Sequence, residues 1–154
     1  MVEINAQQYQ HATTKFVLIG KKQPNLRLRT ISKCSYKVSA KKELTNDGEG
    51  QPDGFVFKKV EQEAAFTMKQ AEWDKMRQWL LAEAAPLGTL QAQFDLAITR
   101  GNRINAVKTD TLRTVMIQEE ARASEDSQEP HMVDVPLLFV KGDFADGPAI
   151  VFDP

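Results

Sequence analysis

Between two segments patterned like strands, residues 41–54 read KKELTNDGEGQPDG. The stretch is charge, Gly, Asn, Asp and Pro, and only Leu44 could enter a core. Hairpins usually close with about two to five residues, and structureless loops beyond about 12 are uncommon unless they serve a purpose. How these residues are read decides the fold. Here they read as a long polar arm, either mobile or ordered by a partner.

Working outward, Leu26 to Val38 alternates with period two. Leu26, Leu28, Thr30, Ser32, Cys34, Tyr36 and Val38 share one face, and Arg27, Arg29, Ile31, Lys33, Ser35 and Lys37 share the other. That pattern predicts one long strand with a buried face and a cationic face. Thr13 to Ile19 predicts an earlier strand, ended by Gly20. After the arm, Gly54 to Val60 predicts a returning strand with Phe55 and Phe57 on one face, and Glu63 to Met68 extends it.

A helix is predicted over about 68–84. Thr67-Met68-Lys69-Gln70 fits a capping box, and Trp73, Met76, Trp79, Leu80 and Ala84 form an apolar stripe that Pro86 stops. Two Trp at helical spacing read as packing onto a sheet rather than as a ligand platform. Leu90 to Thr99 is the cleanest alternation in the chain, a half-buried strand. Thr111 to Gln118 and Met132 to Val140 predict two more, separated by an acidic stretch over 119–130. The tail, residues 143–154, is small and flexible in composition except for Ile150-Val151-Phe152, which needs a home. The sum is one domain over 1–154. It is mainly β, an antiparallel β-sandwich or curved barrel with one amphipathic helix and a long extended arm between early strands.

Composition bounds the rest. The chain has 154 residues, enough to bury a core, and 42% hydrophobic with 27% charged residues is ordinary for a soluble globular domain. Its apolar runs are too short to span a bilayer, and MVEINAQQYQ is not a secretory signal. Cys34 is the sole cysteine, which excludes an intramolecular disulfide. Net charge is −1 but unevenly spread: residues 1–42 carry nine Lys or Arg against one Glu, while 43–154 carry 11 basic and 20 acidic residues. Either the fold interleaves these segments, or opposite surfaces of neighbouring copies attract.

No catalytic constellation emerges, and the expectation is a non-enzyme without metal or cofactor. His11 and His131 lack Cys, Asp or His at ligand spacing. Cys34 lies on the apolar side of a strand pattern and reads as a small buried residue. Glu119-Glu120 and Glu125-Asp126 lie in a solvated run, where acid–base work would need burial. The glycines of 48–54 precede a strand, not a helix, and their acids repel phosphate. Asn46, Asp47, Glu49 and Asp53 lack calcium-loop spacing. The cationic set Arg27, Arg29, Lys33 and Lys37 carries no interleaved aromatics, which favours a solvated face or a protein contact over nucleic acid.

The order of elements then resembles a known family. The strand entered through Thr109-Asp110-Thr111-Leu112-Arg113-Thr114-Val115-Met116-Ile117 is followed by an acidic connection. After it comes Met132-Val133-Asp134-Val135-Pro136-Leu137-Leu138-Phe139-Val140-Lys141-Gly142. Over residues 15–142 this resembles the tail-tube proteins of contractile-tailed phages, and the related tube proteins of extracellular injection systems and type VI secretion. The short tail after Gly142 and the strongly cationic strand depart from that pattern.

The resemblance implies six-copy rings stacked into a hollow tube inside a contracting sheath, in a virion tail assembled in the host cytoplasm. Implied partners are further copies, the sheath, baseplate and terminator proteins, and a tape-measure protein and DNA in the lumen. Lys41, Lys42, Leu44, Asn46, Asp47, Gln51 and Asp53 would reach the adjacent ring. Gln91, Gln93, Asp95 and Thr99 would line the lumen without cations to hold phosphate. Arg27, Arg29, Lys33 and Lys37 would face outward or meet a neighbour's acidic 119–129 run. Alternatives are a tube terminator, initiator or neck protein, and a small ligand-binding or hydrolase domain.

Overall fold

The computed structural model describes residues 2–5, 7–9, 14–101, 107–120, 132–147 and 149. Among them run β1 (Val2–Ile4), β2 (Gln7–Tyr9), β3 (Lys15–Ile19), β4 (Leu26–Leu28), β5 (Lys33–Asn46) and β6 (Pro52–Lys69). There follow α1 (Gln70–Ala84), a 3₁₀ turn (Thr89–Gln91), β7 (Phe94–Arg100), β8 (Lys108–Ile117) and β9 (Met132–Asp143). The strands form one sheet in the order β2-β1-β5-β6-β9-β8-β7-β3-β4. Every pairing is antiparallel except β1 with β5. The sheet curls into a half-barrel, the expected fold class in its curved rather than sandwich form.

The curl follows from chain geometry. β4 is one edge of the sheet and β5 lies near the other, yet only Arg29 to Ser32 connects them. Five Cα steps reach at most roughly 18 Å, so the sheet must bend its ends together. The expected single strand over Leu26–Val38 is therefore two strands. At the break, the Arg29 and Thr30 amides donate to the buried Glu72 carboxylate instead of a ladder, and Ile31 turns into the core at 1% exposure.

The concave side holds the core. Phe16 meets Phe66 edge-on at 6.0 Å, and Leu18, Leu96, Ile98, Leu112, Val135 and Leu137 fill around them. Helix α1 closes this side by burying Trp73, Met76, Trp79 and Leu80, the stripe read from sequence. Trp79 packs edge-on to Phe94 at 6.0 Å and donates to the Pro24 carbonyl at 2.7 Å. Cys34 is buried, and burial pushes its thiol up.

The helix begins at Gln70, because Thr67 and Met68 belong to β6. The capping box does not form: the Thr67 hydroxyl donates to Asp134 at 2.7 Å, and the Gln70 amide to Asp74 at 3.1 Å. Similarly, Leu90 and Gln91 sit in the 3₁₀ turn, and the strand predicted over 90–99 starts at Phe94. The short N-terminal strands β1 and β2 carried no readable period.

Two polar devices hold the ends of the half-barrel. Glu83 accepts the Lys21, Lys22 and Gln23 amides at 2.8–3.1 Å, fixing the turn after β3. Burial alone would raise its carboxyl; the Gln23, Lys22 and Lys21 amides outweigh that and hold it below its ordinary value. At the other end, Asp110, 1% exposed, accepts from Tyr36 Oη, pairs with Arg100 at 3.3 Å and accepts the Ala145 amide at 2.9 Å. Burial, then the bond to Asp110, push the Tyr36 phenol well up. Phe144 stacks on the Tyr36 ring at 5.9 Å, so the start of the tail is anchored. Ile150-Val151-Phe152 lies outside the described residues.

Candidate assembly surface

The residues of 41–54 do not form a loop. β5 and β6 pair from Lys33↔Thr67 out to Asn46↔Pro52, leaving only Asp47 to Gln51 as the turn. Asp47 organises that turn: its Oδ1 accepts the Glu49 and Gln51 amides at 2.9 Å each, its amide donates to the Gln51 carbonyl at 2.8 Å, and Gly50 takes φ +80°. A side-chain oxygen satisfying amides two and four residues on, with glycine in the left-handed region, is how such turns close. The expected polar arm is thus a self-paired ribbon.

What makes it an arm is the loss of lateral partners. β9 pairs β6 only from Lys69 to Glu63, and β1 pairs β5 only at Lys33 and Cys34. Among the described residues, beyond Val38 and Gln62 the two strands pair only with each other, over roughly 30 Å at about 3.3 Å per residue. Two register shifts, at Lys41/Lys42 and Thr45/Asn46, interrupt the ladder there. Such bulges increase twist and blunt edge-to-edge pairing.

The ribbon's apolar side chains continue the core. The pairs Cys34↔Phe66 and Tyr36↔Ala64 lie inside the body, then come Val38↔Gln62, Ala40↔Val60, Lys42↔Phe57 and Leu44↔Phe55. Partners in register share a face, so one apolar stripe leaves the core and runs out uncovered. Phe55 and Phe57 are 67% and 66% exposed, Leu44 54%. Lys42 Nζ lies 5.5 Å from the Phe57 ring centre. The opposite face is ionic, with Lys37–Glu63 at 3.8 Å, Lys41–Glu61 at 3.9 Å, Lys59–Glu61 at 3.3 Å, and Lys58 paired with Glu43.

These pairs bear on the uneven charge of the sequence: basic residues of β5 meet acids of β6, so the segments interleave and cancel locally. The cationic set is also divided. Arg27 lies on edge strand β4 and Arg29 in the connection, whereas Lys33 and Lys37 lie on β5. The acid nearest Lys37 is the chain's own Glu63. Of the acidic run, Glu120 is engaged internally, by Arg77 at 2.5 Å and Thr89 at 2.7 Å; residues 121–131, with His131, Glu125 and Asp126, lie outside the described residues, as does His11.

Of the polar set assigned to a lumen, Asp95 and Thr99 do share the side of β7 away from the core, and Gln93 is exposed in the residue just before the strand. Gln91 does not join them as a strand residue; its Oε1 accepts the Gly88 amide at 3.2 Å within the 3₁₀ turn. Asp95 is paired with Arg113 at 3.2 Å and accepts the Thr114 amide at 3.0 Å, at a bulge where Thr114 has φ +54°. Arg113 also reaches Asp143 at 2.9 Å, which holds that carboxyl below its ordinary value. The sequence reading missed this cation beside Asp95, because the contact is set by the β7–β8 register.

A second apolar area, also missed, lies at the far end of the molecule. Leu81, Leu87 and Leu90 are 44%, 53% and 46% exposed, on the last turn of α1 and the turns that follow it. A concavity floored by Ser35, Ala65 and Pro136 lies between Lys37 and Glu63, and brings no nucleophile and base together. No cluster able to hold a metal occurs among the described residues.

No protein-family model and no curated protein matches the sequence. Among solved structures, the chain is similar to one in the cryo-EM structure of the anti-feeding prophage (AFP) baseplate, 6-fold symmetrised. The TM-score is 0.58 at 10% identity, over 90% of this chain and 93% of that one. The likeness is one of fold.

Proposed function

We propose that the chain is a structural subunit of a phage-tail-like contractile particle, building six-fold rings that stack into a tube. The observation that carries this reading is the fold shared, nearly end to end, with a chain of a six-fold prophage baseplate. A ribbon that leaves the body with an uncovered apolar stripe supports it, because such a surface is completed by another chain. On this reading the work is assembly, not catalysis. Lys41, Lys42, Leu44, Asn46, Asp47, Gln51 and Asp53 belong to the contact with further copies. Gln93, Asp95 and Thr99 face a lumen that passes DNA or cargo. Sheath, tape-measure, terminator and baseplate proteins are the other partners, in a tail assembled in the host cytoplasm. No helix among the described residues is long and apolar enough to cross a membrane.

A second reading, a single ring where the tube meets the baseplate, is favoured by the baseplate origin of the similar chain. Negative-stain microscopy of the purified protein tests both. Stacked tubes are expected; rings that never stack select the second reading, and a sharp monomer at high concentration overturns both.

A further inference from the structure

We infer that the ribbon of one copy docks on the Leu81–Leu87–Leu90 surface of the next, a head-to-tail contact running along the stack. The inference rests on the stacking reading and names the surface that receives the arm. Strand β6 fixes the geometry. It starts at the ribbon and ends at Lys69, where α1 begins, so helix and ribbon leave opposite ends of an 18-residue strand, roughly 60 Å apart. One pole thus carries an apolar prong of Leu44, Phe55 and Phe57, and the pole served by the helix carries an exposed apolar patch. Two different patches on opposite poles of one molecule make a heterologous contact, which repeats along an axis instead of closing into a dimer.

Apolar burial, not charge, carries this pairing. The carbonyl end of α1 is already met by Lys22 Nζ, which donates to the Ala85 carbonyl at 3.2 Å. Lys58 and Lys59 pair with Glu43 and Glu61 on the other face of the ribbon, leaving Lys42 beside Phe57. Area sets the strength. A fully buried Phe removes about 150–250 Å² from water, so the three prong side chains supply only roughly 300–400 Å². That is well below the ~800 Å² per partner of a stable pair. A single contact is therefore too small to hold two monomers, and six acting together in a ring are needed. Rings form first and stacking follows.

The test is disulfide trapping in a Cys34→Ala background, with Lys42→Cys and Ala85→Cys combined, positions that flank the prong and the patch and leave their apolar side chains in place. Both positions are exposed, so the monomer keeps its fold, checked by circular dichroism. Expected is a ladder of oxidised oligomers on a non-reducing gel from the double variant in its assembled state, and none from the same protein diluted to monomer. As a second arm, Leu87→Glu with Leu90→Glu should leave rings intact and abolish stacks. Tubes that form normally in the glutamate variant, with no ladder from the double cysteine, would overturn the docking site and leave the stacking reading standing. Absence of any rings or tubes in the wild type would overturn both.

Discussion

The two halves of the β5–β6 hairpin differ in one respect, what lies beside them. In the lower half, Cys34 and Phe66 are 1% exposed, covered by α1 and flanked by β1 and β9. In the upper half, the same strands in the same pairing carry Phe55 and Phe57 two-thirds exposed; among the described residues no third strand pairs beside them, and Lys42 lies by the Phe57 ring. Backbone pairing is thus indifferent to cover, whereas apolar burial depends on it. An isolated two-stranded ribbon is marginal in water. Its upper half persists through turn chemistry at Asp47, the Thr45–Asp53 bond at 2.6 Å and continuity with the body below.

The largest expected effect separates the halves directly. Phe66→Ala should cost about 3–5 kcal/mol of unfolding free energy, the range for truncating a buried Phe. Phe57→Ala, on the same strand, should leave urea unfolding of the monomer unchanged while stacking of rings, followed by sedimentation velocity, is lost. Equal destabilisation by the two would mean that the ribbon belongs to the core and the comparison fails. Next comes the junction between the halves, where Asp110 ties Tyr36 of β5 to Arg100 of β7 and to the tail amide of Ala145. Asp110→Asn leaves a largely buried guanidinium short of its carboxylate, a change worth about 3 kcal/mol. Thermal unfolding should register it, together with protease cleavage after Phe144 as the ring loses its hold.

The body was legible in the sequence because it has two environments. Leu26, Leu28, Phe94, Leu96 and Ile98 alternate with polar residues, and Trp73, Met76, Trp79 and Leu80 recur at helical spacing, because one side of each element meets the core. The ribbon was not legible for the converse reason. Neither of its faces is covered by the described residues of its own chain, so Lys41 to Asn46 shows no period and reads as loop, although every residue is paired. The break at Arg29–Ser32 was hidden because the parity of Leu28 and Cys34 runs straight through it; Ile31, apolar among the cations, was the residue that disagreed. Of the candidate site, the sequence marked the arm and the β7 face. It gave no sign that Arg113 folds over Asp95, since that contact depends on the β7–β8 register and the bulge at Thr114.

A smaller effect probes the end of the body farthest from the ribbon. Glu83 is held below its ordinary value by three amides against the opposing pull of burial. A carboxyl depressed on folding contributes stability above its unfolded value, and that contribution is lost as pH falls from the ordinary carboxylate range down through the lowered folded value. Unfolding free energy should therefore decline on acidification, and Glu83→Gln should flatten that decline at a loss of about 2 kcal/mol near neutrality, typical of charged hydrogen bonds. Self-association of this variant should match wild type near neutrality, because Glu83 is buried and neither the ribbon nor the exposed leucines are altered. An unchanged acid limb would remove Glu83 as the residue that fixes residues 21–23.

The smallest effect is expected on the ribbon's ionic face. Lys41 and Lys59 both reach Glu61, at 3.9 and 3.3 Å, with the lysine side chains 70% and 66% exposed. Exposed pairs of this kind are screened by salt and offset by the entropy of ordering long side chains, so many contribute nothing measurable. Lys41→Ala with Lys59→Ala should leave the thermal midpoint of the monomer within error of wild type. Removing both cations leaves Glu61 solvated and the apolar stripe on the other face intact, so assembly should also survive, with a changed dependence on salt. A clear fall in the midpoint would show that charges on the free half hold up the covered half, making the hairpin one cooperative unit instead of a folded base with a dependent arm.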